Sequence, residues 1–266
     1  MRKKIKKISK QKLKTGQTLN SEQTYLRDLI KDFPYRKKIS VLHAEKLLVT
    51  RYRQLEKNIS TILRILDDKE LAEKLSKHFN KYPPGEDLLP RQFYFLIFLF
   101  HDYLFSRILS NAGQFRKSSD PYGGKIGFGG SDYRMIGNLK YSGSPCNQIE
   151  NDLIACFSLL TKDSLDPVAS SVEFYRRFVK IHPFYDANGR IGRLILSIYN
   201  LYHGIYVKWS EIESGGNKSE LIKKLNECHK REGQYIYSTH FGFLVKFFRK
   251  FTIKVSDLSE EIQHIA

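Results

Sequence analysis

The sequence has few of the residues that staple or interrupt a chain. Its three cysteines, Cys146, Cys156 and Cys228, are odd in number and show no Cys-x-x-Cys spacing, which argues against a disulfide framework and against a zinc knuckle. Only eight of the 266 residues are proline, whereas 18 are Phe and 16 are Tyr, a composition that excludes a disordered or linker-dominated chain. The sequence therefore predicts a folded protein of a reducing compartment.

Long apolar runs are also lacking. The most apolar run, 93–100, is interrupted by His101 and Asp102, far short of the roughly 20 residues that cross a bilayer. Near the N-terminus, Ile5 and Ile8 are scattered among lysines and do not form the apolar centre of a secretory signal. We expect no membrane span and a cytoplasmic location, and delivery as a secreted effector stays compatible with the sequence.

Acidic residues are scarce relative to basic ones. The chain has 45 Lys and Arg against 28 Asp and Glu, for a net charge of +17. Eight of these cations precede Thr15, and removing them leaves +9. This basic tail has two interpretations: a solvated terminus, or a contact to nucleic acid or an anionic membrane. We favour the first, because no aromatic side chain is interleaved to stack on a base, and we do not expect nucleic acid as the main partner.

Apolar spacing predicts a mostly helical chain. Seven glycines between 117 and 144 break this spacing and predict a short hairpin that pairs Lys125–Phe128 with Tyr133–Tyr141. The predicted fold class is therefore all-α, a helical bundle with one small β-hairpin. The predicted helices are 21–33, 40–66, 70–79, 91–109, 147–160, 167–181, 189–202, 219–230 and 241–253.

The clearest break in the chain is Tyr82-Pro83-Pro84-Gly85, because proline and glycine both end helices. We therefore divide the chain into a basic flexible tail (1–18), an N-terminal helical extension (19–85), a core domain (86–255) and the end of a C-terminal helix (256–266).

One segment, 182–193, has the sequence His-Pro-Phe-Tyr-Asp-Ala-Asn-Gly-Arg-Ile-Gly-Arg and joins two predicted helices. Asn188 and Gly189 open the second helix, where backbone N–H groups lack intrahelical partners and can bind an anion. Gly189 and Gly192 would let a phosphate approach the backbone. Arg190 and Arg193 are three residues apart and can converge on phosphate oxygens. The pattern predicts a phosphate-binding site.

Two further side chains in the segment suit transfer chemistry. Asp186 is a hard carboxylate of the kind that binds Mg²⁺ together with nucleotide phosphates. His182 has an ordinary pKa near neutrality and can accept a proton from a hydroxyl group. Phe184 is expected to fix the loop to the core.

This segment resembles the motif of the Fic (filamentation induced by cAMP) family, H-x-F-x-[D/E]-[G/A]-N-G-R-x-x-R, at every defined position. Gly113–Arg116 resembles the family's G-x-[YF]-R, which precedes the hairpin. Tyr141–Leu153 resembles the stretch that follows the hairpin, although only Pro145 remains of the prolines usual in that stretch. Ser171–Lys180 resembles the helix that leads into the motif. The resemblance extends over roughly residues 90–250.

The resemblance implies a Fic-type bundle that transfers AMP from ATP, with Mg²⁺, to a Tyr, Thr or Ser hydroxyl of a target protein. His182 would be the general base and Asp186 the metal ligand. Asn188, Gly189 and Gly192 would hold the α-phosphate, and Arg190 and Arg193 the β- and γ-phosphates. The hairpin would resemble the family's flap, which clamps the target by strand addition.

Two alternatives stay open. Ala187 stands where glycine is commoner in the family, and alanine there is also usual in a branch that phosphorylates its target, although that branch has lysine where this chain has Gly189. One alternative is therefore another donor, for transfer of UMP, phosphocholine or phosphate. The other is a non-catalytic module that binds a nucleotide or a partner.

Many Fic proteins carry an inhibitory helix, [S/T]-x-x-x-E-[G/N], whose glutamate pairs with the second motif arginine, here Arg193. Ser256 and Glu260 fit its first five positions, as do Thr18 and Glu22, but neither match has the final Gly or Asn. Without such a helix, the protein would be constitutively active or restrained by a separate antitoxin chain. Oligomers are compatible with the sequence.

Two residue pairs are expected to have structural roles and no catalytic or metal-binding role. His101 and Asp102 are expected on a core helix rather than at a metal site, because no second histidine cluster accompanies them. Cys228 and His229 are expected on the surface, because adjacent helical side chains diverge by about 100°.

Overall fold

The computed structural model describes residues 39, 41–68, 70, 87–128, 141–232 and 241–258. The basic tail, the predicted helix 21–33, nearly all of the predicted helix 70–79, the break at 82–85 and Glu260 lie outside these residues, so the domain boundaries stay predictions. The described helices are α1 (Val41–Lys57), α2 (Ile59–Asp67), α3 (Leu89–Phe105), α4 (Ile149–Phe157), α5 (Pro167–Ile181), α6 (Asn188–Tyr202), α7 (Trp209–Glu213), α8 (Asn217–Glu232) and α9 (Gly242–Arg249). The described strands are β1 (Gly127–Phe128), β2 (Tyr141–Ser142), β3 (Ile205–Val207) and β4 (Thr252–Lys254).

Helices α5 and α6 form the centre of the fold. Helix α5 has the predicted bounds because Asp166 caps it, accepting the N–H of Ala169 at 3.1 Å, and Pro167 occupies its first turn. The two helices pack closely at Gly192, where a Cβ would lie 2.9 Å from Cδ2 of Tyr175. Around them, α3, α4, α8 and α9 complete a core rich in buried Phe, Ile and Leu.

Helix α3 ends at Phe105, four residues before the predicted end. The chain then turns back against the helix, and the N–H of Gly113 donates to Nδ1 of His101 at 2.8 Å. Gly113 has a φ of +71°, which favours glycine. His101 is 1% exposed, which confirms its expected place on a core helix.

The predicted helix 40–66 is two helices in the structure. Asn58 separates α1 from α2, and its side-chain amide donates to the carbonyl of Gln54 at 2.7 Å. Asparagine competes for backbone partners in this way and weakens a helix interior.

An antiparallel strand pair at the place of the predicted hairpin is confirmed, with Gly127 opposite Ser142 and Phe128 opposite Tyr141. The second strand extends one residue beyond its predicted end, and residues 129–140, which include most of the predicted second strand, lie outside the described part. The prediction of helix through Ile253 is wrong, because Thr252–Lys254 pair with Ile205–Val207 as antiparallel strands. β-Branched residues on both strands favour this pairing. The fold is mostly helical, as predicted, with two small sheets.

The longest helices in the described part, α1 and α3, have 17 residues each. None of the described helices is both long and apolar enough to cross a membrane.

Candidate active site

The loop between α5 and α6 begins and ends in left-handed backbone. His182, which follows α5, has a φ of 52°, and Ala187, which precedes α6, has a φ of 71°. Each such residue costs about 1–2 kcal/mol when it is not glycine. The surrounding structure must therefore hold the loop in place.

Phe184 and Asn188 fix the loop from inside. The Asn188 side chain accepts the N–H of Phe184 at 2.9 Å and donates to its carbonyl at 2.8 Å. The Phe184 ring is fully buried and stacks on His101, with 3.9 Å between ring centroids and 10° between planes, which confirms its expected structural role. Because Nδ1 of His101 accepts the N–H of Gly113, its Nε2 carries the proton and donates to the carbonyl of Asp186 at 3.3 Å.

His182 is held as a neutral imidazole. Its Nδ1 lies 3.1 Å from the carbonyl of Val179, and because a carbonyl only accepts, Nδ1 carries the proton and Nε2 the lone pair. The pKa of His182 is lowered to about 4, chiefly by burial and in smaller part by the charges of Arg116 and His229, while the hydrogen bond to Val179 and the charge of Asp186 oppose the shift. The ring can therefore act as a base at neutral pH.

The first turn of α6 has open space in front of it. A Cβ on Gly189 would meet no atom within 4 Å. The N–H of Ile191 bonds to the carbonyl of Ala187 at 2.9 Å and is the first with an intrahelical partner, so the N–H groups before it can bind an anion. We call the backbone of Asn188, Gly189 and Arg190 the cradle.

Gly192 does not share this space. Its missing side chain makes room for Tyr175 and Phe178, which a Cβ would approach to 2.9 and 3.1 Å. The structure therefore gives Gly192 a packing role, and its place in the anion site stays a prediction.

Asp186 and Arg190 form an ion pair beside the cradle. Oδ1 of Asp186 accepts the N–H of Ala187 at 2.5 Å and the Arg190 guanidinium at 3.0 Å, and Asp186 is 5% exposed. Nε of Arg190 is buried and has no hydrogen-bond partner in the described part of the chain. The described residues contain no cluster of three metal-ligating side chains, but Mg²⁺ needs only one or two carboxylates when phosphates and water supply its other ligands. The site fits Mg²⁺ in that way alone.

Arg193 contacts both the first turn of α6 and α7. Its Nε donates to the carbonyl of Gly189 at 3.3 Å. Arg193 also forms an ion pair with Glu213 and lies over the Trp209 ring at 5.6 Å. Both arginines border a cavity of about 530 Å³ that runs along α6. The other lining residues are Tyr52, Ile59, Leu194, Ser197, Leu201, Tyr206, Val207, Trp209, Ser210 and Glu213.

Sequence reasoning missed two residues at this site. Glu213 carries no sequence signal, because it meets Arg193 only through the fold. Arg116 lies in the Gly113–Arg116 segment that resembles a family motif, and it contacts the loop directly, as described below.

Two further predictions concern the pair Cys228 and His229 and the inhibitory segment that begins at Ser256. Cys228 is fully buried and His229 is 4% exposed, so the prediction of a surface pair is wrong; His229 lies beside Tyr141 of β2, with ring centroids 5.4 Å apart. Ser256 lies in a short 3-10 turn, Val255–Asp257, and donates to Asp257. Its predicted partner Glu260 is outside the described residues.

Residues 94–199 match the sequence model of the Fic/DOC family, a range that includes Arg116 and the whole motif. Over this range, the chain is similar to the Fic/DOC family.

Solved structures give weaker similarities. BepC, a translocated effector of Bartonella tribocorum with bound AMPPNP, is 18% identical over 73% of this chain and 88% of its own, with a TM-score of 0.43. The N-terminal Fic domain of a Bartonella quintana effector with bound ADP is 18% identical over 69% of this chain and 81% of its own, with a TM-score of 0.44. A Fic-domain signalling protein of Bacteroides thetaiotaomicron is 17% identical over 88% of this chain and 76% of its own, with a TM-score of 0.48. No curated protein sequence matches the chain.

Proposed function

We propose that this protein transfers AMP from ATP to a hydroxyl group of a target protein. One tight loop joins the neutral His182 imidazole to the open first turn of α6, and this observation carries the proposal. A base and an anion site in the same loop are the two groups that such a transfer needs most. The Fic-family match supports a transferase.

In the proposed step, Nε2 of His182 takes the proton of the target hydroxyl. The hydroxyl oxygen forms a bond to the α-phosphorus, the bond from that phosphorus to the bridging oxygen breaks, and pyrophosphate leaves. The cradle N–H groups hold the α-phosphate, and Arg190 and Arg193 hold the leaving phosphates. Mg²⁺ at Asp186 would neutralise phosphate charge.

Two features of the site support phosphate binding. The open space at Gly189 admits an oxygen atom to within hydrogen-bond distance of the backbone. The buried Nε of Arg190 has no partner in the described chain, and a phosphate oxygen would satisfy it.

One observation favours a second candidate, phosphate transfer. The cavity extends along α6 from Arg190 and Arg193, and the rings of Tyr52, Tyr206 and Trp209 line it. A nucleotide with its base among these rings would run its phosphates past Arg193 toward the cradle. Its terminal phosphate, rather than its α-phosphate, would then lie nearest His182.

Intact mass spectrometry of the protein after incubation with Mg²⁺ and ATP tests the proposal. We expect wild-type protein, or a target in lysate, to gain the mass of AMP, and His182→Ala to gain nothing. His203→Ala is the matched control, because His203 packs on Tyr199 at the far end of α6 and its loss should leave the transfer intact. A gain of one phosphate mass would select the second candidate, and equal gains in wild type and His182→Ala would contradict both.

A further inference from the structure

Arg116 is a buried cation that contacts the loop on one side and the hairpin on the other. It is 3% exposed. Its Nε donates to the carbonyl of His182 at 2.8 Å, and one terminal nitrogen donates to Ser144 at 2.9 Å and Ile181 at 3.3 Å. The other terminal nitrogen donates to the carbonyl of Gly124.

The backbone of Arg116 adds a further bond to the same loop. Its N–H donates to the carbonyl of Pro183 at 3.0 Å. Carbonyls 181, 182 and 183 are consecutive, so one residue binds the backbone before, at and after the left-handed His182. This is the support that a costly backbone conformation requires.

The contact between loop and hairpin is tight as well. A Cβ on Gly143 would lie 3.0 Å from the Arg116 guanidinium and 3.1 Å from Cβ of His182. The N–H of Ser144 bonds to the carbonyl of Ile181 at 3.0 Å. The hairpin flank, Arg116 and the backbone of His182 are thus in direct contact.

We propose that Arg116 is a positioning residue for the transfer, which fixes the backbone of His182, and with it the imidazole, and couples it to the hairpin flank at Gly143 and Ser144. The proposal rests on the proposed function in its use of His182 as the base. It extends that function by naming the residue that sets the base in place.

The contacts explain why arginine stands here. A guanidinium presents five N–H donors in a planar fork, whereas lysine presents three donors at a single atom. The carbonyls of Gly124, Ser144 and His182 surround the fork on different sides. Lysine would therefore supply the charge but reach fewer of these acceptors.

The charge of Arg116 also acts on the histidine. Three charged or titratable groups influence His182: Arg116 and His229 disfavour its protonation, and Asp186 favours it. Loss of the Arg116 charge should therefore raise the pKa of His182, whereas Arg116→Lys should leave it low.

The test compares Arg116→Gln and Arg116→Lys with Arg176→Gln as a matched control. Arg176 is equally buried, at 3% exposed, but it pairs with Glu173 on α5. Histidine-selective NMR follows the titration and the protonated nitrogen of His182 without any need for transfer. Initial rates of modification at varied ATP give kcat and KM separately.

We expect Arg116→Gln to raise the pKa of His182 and to lower kcat by about 100-fold, as misplacement of a catalytic group by about 1 Å does, with KM for ATP little changed. Arg116→Lys should keep the low pKa and still lose about tenfold in kcat. Arg176→Gln should lower thermal stability and change neither the His182 titration nor kcat.

An unchanged kcat in Arg116→Lys, or the same kcat loss in Arg176→Gln, would overturn the proposal. If Arg116→Gln does not fold, the lysine variant decides. Failure of the proposed function would look different: wild-type protein would transfer nothing, while the His182 titration would still respond to Arg116→Gln.

Discussion

At the residue scale, the two glycines of the motif have different reasons to be glycine. Gly189 faces open space, and Gly192 faces the rings of Tyr175 and Phe178. Sequence spacing places both near the phosphate site, because it cannot show which side of α6 is covered by α5.

Alanine at position 189 should therefore change ATP binding, whereas alanine at position 192 should change the stability of the fold. Gly189→Ala should leave the free energy of unfolding unchanged or raise it by less than about 1 kcal/mol, and should weaken ATP binding by about tenfold or more through lost charge-assisted bonds to the backbone. Gly192→Ala should cost about 1–3 kcal/mol of stability by overpacking. Urea unfolding and calorimetric titration with ATP and Mg²⁺ measure the two quantities. Weaker binding only in Gly192→Ala would contradict the assignment.

The sequence alone identifies the reactive residues of the loop, but it does not identify the residues that hold the loop in place. His182, Asp186 and Arg190 lie within nine residues, so local spacing brings them together. Arg116 is 66 residues before His182, and only folding shows that it binds the loop. The left-handed backbone of His182 carries no signal, because the residue is not glycine, whereas the preference of the Fic family for glycine at the position of Ala187 is a weak signal.

At the element scale, the short helix α7 places a carboxylate beside Arg193. Its Glu213 pairs with Arg193 at the edge of the cavity, and an incoming phosphate must compete with that carboxylate. The competition is modest, because Glu213 is 48% exposed and exposed ion pairs contribute about 0.2–1 kcal/mol.

Glu213→Gln should accordingly tighten ATP binding by about two- to fivefold. Glu211→Gln on the same helix is the control, since Glu211 pairs with Lys208 at 3.1 Å and not with the site. Calorimetric titration of both variants measures the difference. Equal affinities in wild type and Glu213→Gln would show that Arg193 does not hold phosphate in this protein.

Element boundaries were predictable where the signal is local. Asp166 and Pro167 mark the start of α5, and the structure begins the helix there. The strand Thr252–Lys254 was predicted as helix because its partner, Ile205–Val207, is far away in the sequence. Pairing across such a distance decides the structure against a helical apolar pattern.

At the scale of the whole molecule, buried histidines link stability to pH. Burial lowers the pKa of both His101 and His182 to about 4, below the ordinary value of 6.5. The unfolded chain then binds more protons than the folded chain between about pH 6.5 and 4. Stability is full above pH 6.5 and is lost as the pH falls through that window.

We expect the free energy of unfolding to drop by up to about 3 kcal/mol for His101 as the pH falls from 6.5 to 4. His101→Gln, which retains polar atoms without a proton to gain, should reduce this slope. His43→Gln should not, because His43 is exposed. Urea unfolding across the pH range measures the slopes, and identical slopes in all three proteins would contradict the burial argument.

In the proposed reaction, the His182 loop and the cradle transfer the α-phosphoryl group together with its nucleoside. The most direct measurement compares ATP labelled at the α-phosphorus with ATP labelled at the γ-phosphorus, incubated with Mg²⁺ and wild-type or His182→Ala protein, followed by detection of label on protein. The account predicts α-label on wild-type samples, no γ-label, and neither label with His182→Ala. Label from the γ-position alone, or α-label that survives the loss of His182, would contradict it.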